Sequence, residues 1–463
     1  MYLIPEIRNA TILFTNEGGY PRKNRTNALE RHNHNGFVMD SGDKKLLKQV
    51  TDALIKGERI FLSGAAGTGK TWLVKRIARQ IAKKEKVVYV TASTGIAASL
   101  LFDEIGVRQS FFIKGPSTLH SAAMLPWSSE KDKTRLIERG KRRLTGTDVI
   151  IIDEISMLDS NTFGRFLDRI PDYTGILVVG DLFQLPPVAK DENSRPDFIF
   201  NNNAFKDFKL IELTTNYRQG EVGFLSFLND LRHGQNPRDF YLTINSEFDQ
   251  NHPTLFGTRR EAAYKNSLEL SKLSTKLYTS KCNVKVGDPE KAIKWFENYT
   301  RALQICEFKR GMRVLCIKNH DNLVNGDLGT IIDISGKEQE GIRPDGLTIK
   351  FDRKRIGNRI MQPYEFKKEI QDSYTTKVEF NVEQFPIVPA YGLTVHKAQG
   401  MTLDIVNIDG RKINFDAGQV YVAISRCRTK KGLRIQNANM FNAFTRKSVD
   451  DYYANANRLQ FSV

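Results

Sequence analysis

Four cysteines are thinly spread through 463 residues, at Cys282, Cys306, Cys316 and Cys427, and none forms a C-x-x-C pair. That spacing offers neither a thiolate zinc site nor a disulfide framework. The seven histidines are scattered, and the one close pair, His32-x-His34, has no further ligand type nearby. No run of about 18 apolar residues occurs, so no membrane-spanning helix is expected. The N-terminus lacks the charged start and apolar core of a secretory signal. These absences place the chain, as an expectation, in a reducing intracellular compartment: a cytoplasm or nucleoid, or a nucleus or mitochondrion. No internal sequence repeat is evident. Acidic residues are also in deficit, 53 against 70 Lys plus Arg, giving a net charge of +17. Such an excess suits a polyanionic partner, although charge alone leaves nucleic acid, a membrane surface and simple solubility all open.

What is present is organised around Phe61–Thr71, FLSGAAGTGKT. Gly64, Gly69, Lys70 and Thr71 satisfy G-x-x-x-x-G-K-[ST]. Arg59–Ser63 reads as a short buried strand. Leu73, Ile77 and Ile81, four apart, mark one apolar helical face after the loop. A glycine loop between strand and helix lets backbone N–H groups turn inward around phosphate oxygens at a helix N-terminus. The phosphate-cradling set is therefore Gly64, Ala65, Ala66, Gly67, Thr68, Gly69, Lys70 and Thr71. Lys70 would neutralise the β- and γ-phosphates, and the Thr71 hydroxyl would ligate Mg²⁺.

Further elements extend this pattern. Asp148–Glu154, DVIIIDE, is an apolar strand ending in two carboxylates, and burial on both faces fits a parallel sheet. Asp153 is suited to hold Mg²⁺ through water, and Glu154 to polarise the attacking water as general base. Gly175–Asp181 is another strand, leading to Gln184, which could sense the γ-phosphate as water-orienting glutamines do. Residues 16–35 are basic and rich in Asn and Gly, either a solvated tail or a nucleic-acid-contacting arm. Phe224–Gly234 reads as a helix with Phe224, Phe227, Leu228 and Leu231 on one face. Short β-rich segments between Phe308 and Val382 suggest a small barrel-like insertion. The last twenty residues are polar and expected to pack peripherally.

Taken together, GAAGTGKT, VTASTGIAA, STLHS, IIIDEISML, VVGDLFQLPPV, TTNYRQ, VHKAQGMTLD and VYVAISRCRT, in that order, resemble the motifs of superfamily 1B DNA helicases. The likeness covers about residues 43–435. It is closest to the petite-integration-frequency (PIF) family, with RecD and Dda helicases as relatives, and FLSFLNDLRHG looks like that branch's additional signature.

The resemblance implies an α/β fold with two RecA-like parallel-sheet domains in tandem and ATP bound between them. Domain 1A is expected at 43–121 and 147–204, with a wedge insertion, 1B, at 122–146. Domain 2A is expected at 205–307 and 383–445, with an SH3-like insertion, 2B, at 308–382. Residues 1–42 would be an N-terminal extension and 446–463 a C-terminal tail. The resemblance further implies that Arg218 and Arg426 reach the γ-phosphate as arginine fingers and that Gly400 belongs to the ATP site. It puts Thr94, Thr118, His120, Thr258, His396 and Lys397 along a single-stranded DNA track. A departure concerns adenine: the family's base-reading Gln is not in its usual place, and Gln49 sits closer to the first strand. The implied protein is a monomeric ATP- and Mg²⁺-dependent helicase acting on single-stranded and forked duplex DNA, with movement from 5′ to 3′ implied by the resemblance only. An RNA or hybrid helicase, and an ATP-switched nucleic-acid scaffold, remain alternatives.

Overall fold

The structure is a computed structural model that describes residues 41–94, 97–98, 101, 111–125, 134–187, 195–217, 221–237, 246–300, 302–318, 323, 326–336, 343–352, 356–371, 376–413 and 415–459. Arg218 and residues 1–40 lie outside them.

Helix α1 (Ser41–Ile55) leads into strand β1 (Arg59–Gly64), and the phosphate loop then opens helix α2 (Lys70–Lys83). There follow β2 (Val88–Ala92), β3 (Ile113–Thr118), α3 (Leu119–Ala122), α4 (Thr134–Leu144), β4 (Val149–Asp153), α5 (Ser160–Leu167), β5 (Gly175–Gly180) and β6 (Lys209–Leu213). The six strands form one sheet, ordered β3-β2-β4-β5-β1-β6, with every pairing parallel. Ile60–Leu62, Val149–Ile152 and Ile176–Val179 are all buried, which is why these strands read as unbroken apolar runs rather than alternating ones. On α2, Leu73, Val74, Ile77, Ala78 and Ile81 are buried, as the helical spacing requires.

The second lobe begins with α6 (Val222–Arg232), β7 (Thr254–Phe256) and α7 (Arg259–Ser271). An antiparallel region follows: β8 (Tyr278–Lys281), β9 (Asn283–Val286), α8 (Pro289–Tyr299), β10 (Ile305–Phe308), β11 (Arg313–Cys316), β12 (Leu328–Ser335), β13 (Gly346–Phe351), β14 (Asn358–Met361), β15 (Tyr364–Gln371), β16 (Thr376–Gln384) and β17 (Ile387–Pro389). The chain then returns through β18 (Gly392–Thr394), α9 (Val395–Ala398), β19 (Val406–Asp409), α10 (Gln419–Ile424) and β20 (Leu433–Gln436), and ends in α11 (Lys447–Asn455). Strands β18-β7-β19-β20 make the second parallel sheet. Tandem parallel sheets are the expected fold. Among the described residues no helix is long and apolar enough to cross a membrane.

Three expected boundaries shift. Strand β6, placed beyond residue 204 and so in the second lobe, pairs with β1 instead, Leu62 opposite Ile211. Phe205 and Phe208 join the same core against Phe61 and Phe163. The antiparallel region also exceeds 308–382. A five-stranded sheet, β14-β13-β12-β11-β17, closes with Ile387–Pro389, while β16 pairs with β9 nearly 100 residues earlier. The polar sequences of β8 and β9 carry no sign of partners so distant in the chain.

The third shift concerns the C-terminal segment, which is part of the first lobe rather than peripheral. Val449 and Tyr453 are buried in its core. The Tyr453 ring stacks on Phe183 with centroids 4.8 Å apart. Its hydroxyl lies 2.5 Å from Ser63 Oγ and accepts from the Leu182 amide at 3.3 Å. Leu210 N donates to Asn457 O at 2.7 Å, and Leu459 N donates to Leu210 O at 3.0 Å, so the chain end lines the edge of β6. The polar majority of α11 hid this docking. Tyr453→Phe leaves Ser63 and Leu182 without that partner and should lower stability by about 1–2 kcal/mol. The midpoint of the first lobe's urea transition, followed by Trp72 fluorescence, measures it.

Candidate active site

Lys70 is the first residue of α2, and its N-cap, Gly69, adopts φ 80°, in the left-handed region where glycine carries no penalty. Gly67 is likewise at φ 88°. Gly64 has no room for a side chain, since a Cβ would come within 2.8 Å of Leu213 O. The loop is held from outside. Tyr217 N donates to Gly67 O at 2.8 Å and Asn216 Nδ2 to Ala66 O at 2.7 Å. Lys70 Nζ donates to Gly64 O at 2.6 Å and to Ala65 O at 2.9 Å, so the ammonium rests on its own loop. Burial lowers its pKa, while Asp181, Glu154 and Asp153 act in the opposite sense. The group is thus short of solvent and held inside the curl of the loop by two of its carbonyls. Tyr217, which the sequence reading passed over for its neighbour Arg218, leaves its ring half-exposed about 3.5 Å from where a Gly69 Cβ would lie.

Thr71, Asp153, Glu154 and Gly400 line one cavity of about 780 Å³. Thr71 and Asp153 offer it a hydroxyl and a carboxylate, the hard oxygen donors that suit Mg²⁺. Asp153 ends β4 and accepts from Glu154 N at 2.8 Å. Glu154 itself stands at φ 54°, ψ 49°, an uncommon conformation for a side-chain-bearing residue. Gln184 is buried, and its Oε1 accepts from Gln399 Nε2 at 3.3 Å, while the same nitrogen donates to Glu154 Oε2 at 3.2 Å. Gln399 belongs to the second lobe and was not singled out from sequence, although it immediately precedes Gly400.

Arg426 is only 2% exposed. Its guanidinium donates to Val422 O at 2.9 Å, to Ser425 Oγ at 2.9 Å and, at 3.5 Å, to Met401 O. In this structure it is therefore held on its own lobe and does not line the cavity. The other expected finger, Arg218, lies outside the described residues.

A buried polar group that sequence reading missed lies beneath the phosphate loop. Asp181 is fully buried, and Arg232 of α6 approaches it with Nε and Nη2 at 3.1–3.2 Å. Arg232 also pairs with Glu212 at 3.3 Å. Tyr421 of α10 donates from its hydroxyl to Asp181 Oδ2 at 3.2 Å and accepts from Ala66 N at 2.7 Å. Burial pushes the Tyr421 phenol well above its ordinary pKa, so it remains a donor. The signal was present in part, since Asp181 and Arg232 each sit inside a recognised motif, but their contact spans the two lobes.

The expected track residues share one local design. Thr118 Oγ1 accepts from Ser121 N, Thr258 Oγ1 from Glu261 N, and Thr94 Oγ1 from Ala97 N. Thr118 and Thr258 thus cap helix starts. Thr118 is buried, so its hydroxyl serves the cap rather than an exposed contact surface. His120 follows in α3, and burial lowers its pKa, with Asp159 acting in the opposite sense. Thr94, His396 and Lys397 line the same cavity as Thr71 and Asp153, joined by Arg259. Thr118, His120 and Thr258 are not among its lining residues.

A phosphate loop and an acidic strand end on one parallel sheet, faced by helices of a second, define a two-lobed P-loop nucleotide hydrolase. Residues 38–238 match the PIF1-like helicase family. The chain is 30% identical over 411 residues to the ATP-dependent DNA helicase Pif1 of Bdellovibrio bacteriovorus, covering 83% of this chain and 85% of that protein. It is 29% identical over 435 residues to the Pif1 helicase of Campylobacter jejuni, covering 84% and 91%. Its fold matches the crystal structure of Pif1 helicase from Candida albicans with a TM-score of 0.69 and 30% identity, covering 90% of this chain and 99% of that one. The chain belongs to the PIF1-like helicase family.

Removing Arg232 leaves the buried Asp181 carboxylate without its guanidinium partner, held by the Tyr421 hydroxyl and the Phe183 amide. Arg232→Ala should destabilise the protein by about 3–5 kcal/mol, and pairing it with Asp181→Leu should recover much of that loss. A double-mutant cycle by chemical denaturation tests the coupling.

Proposed function

We infer that the protein is an ATP-dependent DNA helicase that uses ATP to move on single-stranded DNA and separate duplex strands. Supporting this most directly is the continuity of one cavity from Thr71, Asp153 and Glu154 to Thr94, His396 and Lys397. Nucleotide and nucleic-acid residues thereby share walls contributed by both lobes. The family relationship and the basic charge agree with it.

The proposed roles follow from position and chemistry. Backbone N–H groups from Gly67 to Thr71, with Lys70, would cradle the phosphates. Thr71 and Asp153 would hold Mg²⁺, which neutralises phosphate charge when bound. Glu154 would take a proton from the attacking water, and the Gln184 amide would face the γ-phosphate. Arg426, released from the Met401 carbonyl, and Arg218 would stabilise charge on the transferring group. Along the track, helix starts capped by Thr118 and Thr258 would present backbone amides to DNA phosphates, with Thr94, His120, His396 and Lys397 beside them. Translocation from 5′ to 3′, a strand-separating role for residues 122–146 and an SH3-like role for the antiparallel region belong to the same proposal.

Lys70→Ala should lower ATP turnover by about 10³-fold or more, and Glu154→Gln should bind ATP while hydrolysing it at least about 10²-fold more slowly. Steady-state ATPase and nucleotide-binding assays measure both, and normal turnover by Lys70→Ala refutes the site. Forked substrates with a single 5′ or 3′ tail report direction. ATPase stimulation by single-stranded RNA equal to that by DNA would instead favour the RNA helicase reading.

A further inference from the structure

Strands β1 and β5 lie side by side, and each runs into a loop of the hydrolytic site. Their ladder is paired as far as Ser63 opposite Gly180. Beyond that pair the two chains part, one into the phosphate loop at Gly64 and the other into Asp181–Gln184. A hydroxyl from far along the chain spans the gap. Tyr453 of α11 places its Oη 2.5 Å from Ser63 Oγ, and the same atom accepts from Leu182 N at 3.3 Å.

The amides of the second loop show what that hydroxyl contributes. Gln184 N donates to Asp181 O at 3.0 Å and Phe183 N to Asp181 Oδ1 at 3.3 Å, both within the turn. Leu182 N is satisfied from outside it, by Tyr453. The Tyr453 ring also lies on the Phe183 ring, 9° from parallel, so the turn is held by a hydrogen bond and a ring face together. Ser63 is 0% and Leu182 2% exposed, so bulk water is not at hand to replace the phenol. Burial raises the Tyr453 pKa and keeps that phenol protonated.

Tyr421 bridges the same two loops from the second lobe, accepting from Ala66 N and donating to Asp181 Oδ2. Its hold depends on where that lobe stands. Tyr453 is packed in the first lobe's own core with Phe61, Phe163 and Val449, so its hold does not.

We propose that Tyr453 is a positioning residue for ATP hydrolysis, fixing the Leu182–Gln184 turn against the start of the phosphate loop so that Gln184 and the bound triphosphate keep one separation. The proposal rests on Gln184 facing the γ-phosphate.

The test uses the full chain with Tyr453→Phe, which keeps the ring stack and removes the hydroxyl, and Ser63→Ala, which removes the same contact from its other end. Urea midpoints set conditions under which every variant is folded. Steady-state ATPase is then measured with saturating oligo-dT, and nucleotide affinity by titration with a fluorescent non-hydrolysable ATP analogue. Both variants should lower kcat about fivefold or more, with the analogue's Kd within about twofold of the parent. In a Gln184→Ala background the further loss from Tyr453→Phe should fall to within about twofold, as residues acting through one another require. General weakening of the lobe would instead carry the same fold-loss into both backgrounds. The proposal is overturned by that result, by a kcat within twofold of the parent in either variant, or by a loss confined to nucleotide affinity. Gln184→Ala separates the two readings: parent-like turnover by it removes the sensor assignment, whereas a slow Gln184→Ala beside a parent-like Tyr453→Phe defeats the positioning alone.

Discussion

The carboxylate of Asp181 sits at zero exposure directly after β5, at the root of the phosphate-loop sheet. A carboxylate so placed loses several kcal/mol of hydration and is tolerable only where charge and hydrogen bonds replace the water. Here the replacements come from far along the chain, Arg232 from α6 and Tyr421 from α10. Both helices pack in the second lobe's core, with Phe224, Phe227 and Leu231 against Val420 and Tyr421. Pulling that lobe away would strand a buried anion. The same Tyr421 hydroxyl also takes the Ala66 amide, so the conformation of the phosphate loop is tied to the group that neutralises Asp181.

The two sides of the interface between the sheets are therefore unequal. At Asp181 the contacts are ionic, multiple and dry, reinforced by Tyr453 and by Arg232 lying 4.7 Å over the Phe183 ring. At the cavity, contact among the polar groups rests on Gln399, with two longer bonds of 3.2 and 3.3 Å. Charge-assisted hydrogen bonds are roughly twice as strong as neutral ones, and buried ones are stronger again. The cavity edge has one bond to a carboxylate and one between amides, against a full ion pair at Asp181, so it is the edge that yields at lower cost. A wide, charged cavity can be tolerated there because the opposite edge carries the cohesion.

Much of this was legible in residue order, and the reasons differ from place to place. Gly64, Gly69, Lys70 and Thr71 are readable because one continuous strand, loop and helix performs the whole task. Asp153 and Glu154 are readable because an apolar strand ending in acids has few structural uses. Asp181, Arg232, Tyr421 and Tyr453 were not read as one group, since residues 240 positions apart give no local pattern when they meet. Strand β6 escaped for a related reason: its apolar run fits either sheet, and only its register beside β1 decides. Arg426 shows the converse. Its motif was plain, but the carbonyls that hold it on its own lobe could be seen only in three dimensions.

A final regularity links fold to track. Strand β3 is the edge of the first sheet and β18 the edge of the second. Each ends in a threonine that caps a four-residue helix, Thr118 before α3 and Thr394 before α9, and each helix carries a histidine at its second position, His120 and His396. The chain thus writes Thr-x-His-x-Ala twice, at Thr118–Ala122 and Thr394–Ala398. Capping explains the threonine, because a helix this short cannot satisfy its first amides internally. It does not explain the histidine, which is half-buried in one lobe and exposed in the other. Stability alone would let the two positions differ freely. Their agreement at equivalent strand ends is better accounted for by a shared task, one held by each lobe at the same place on its sheet.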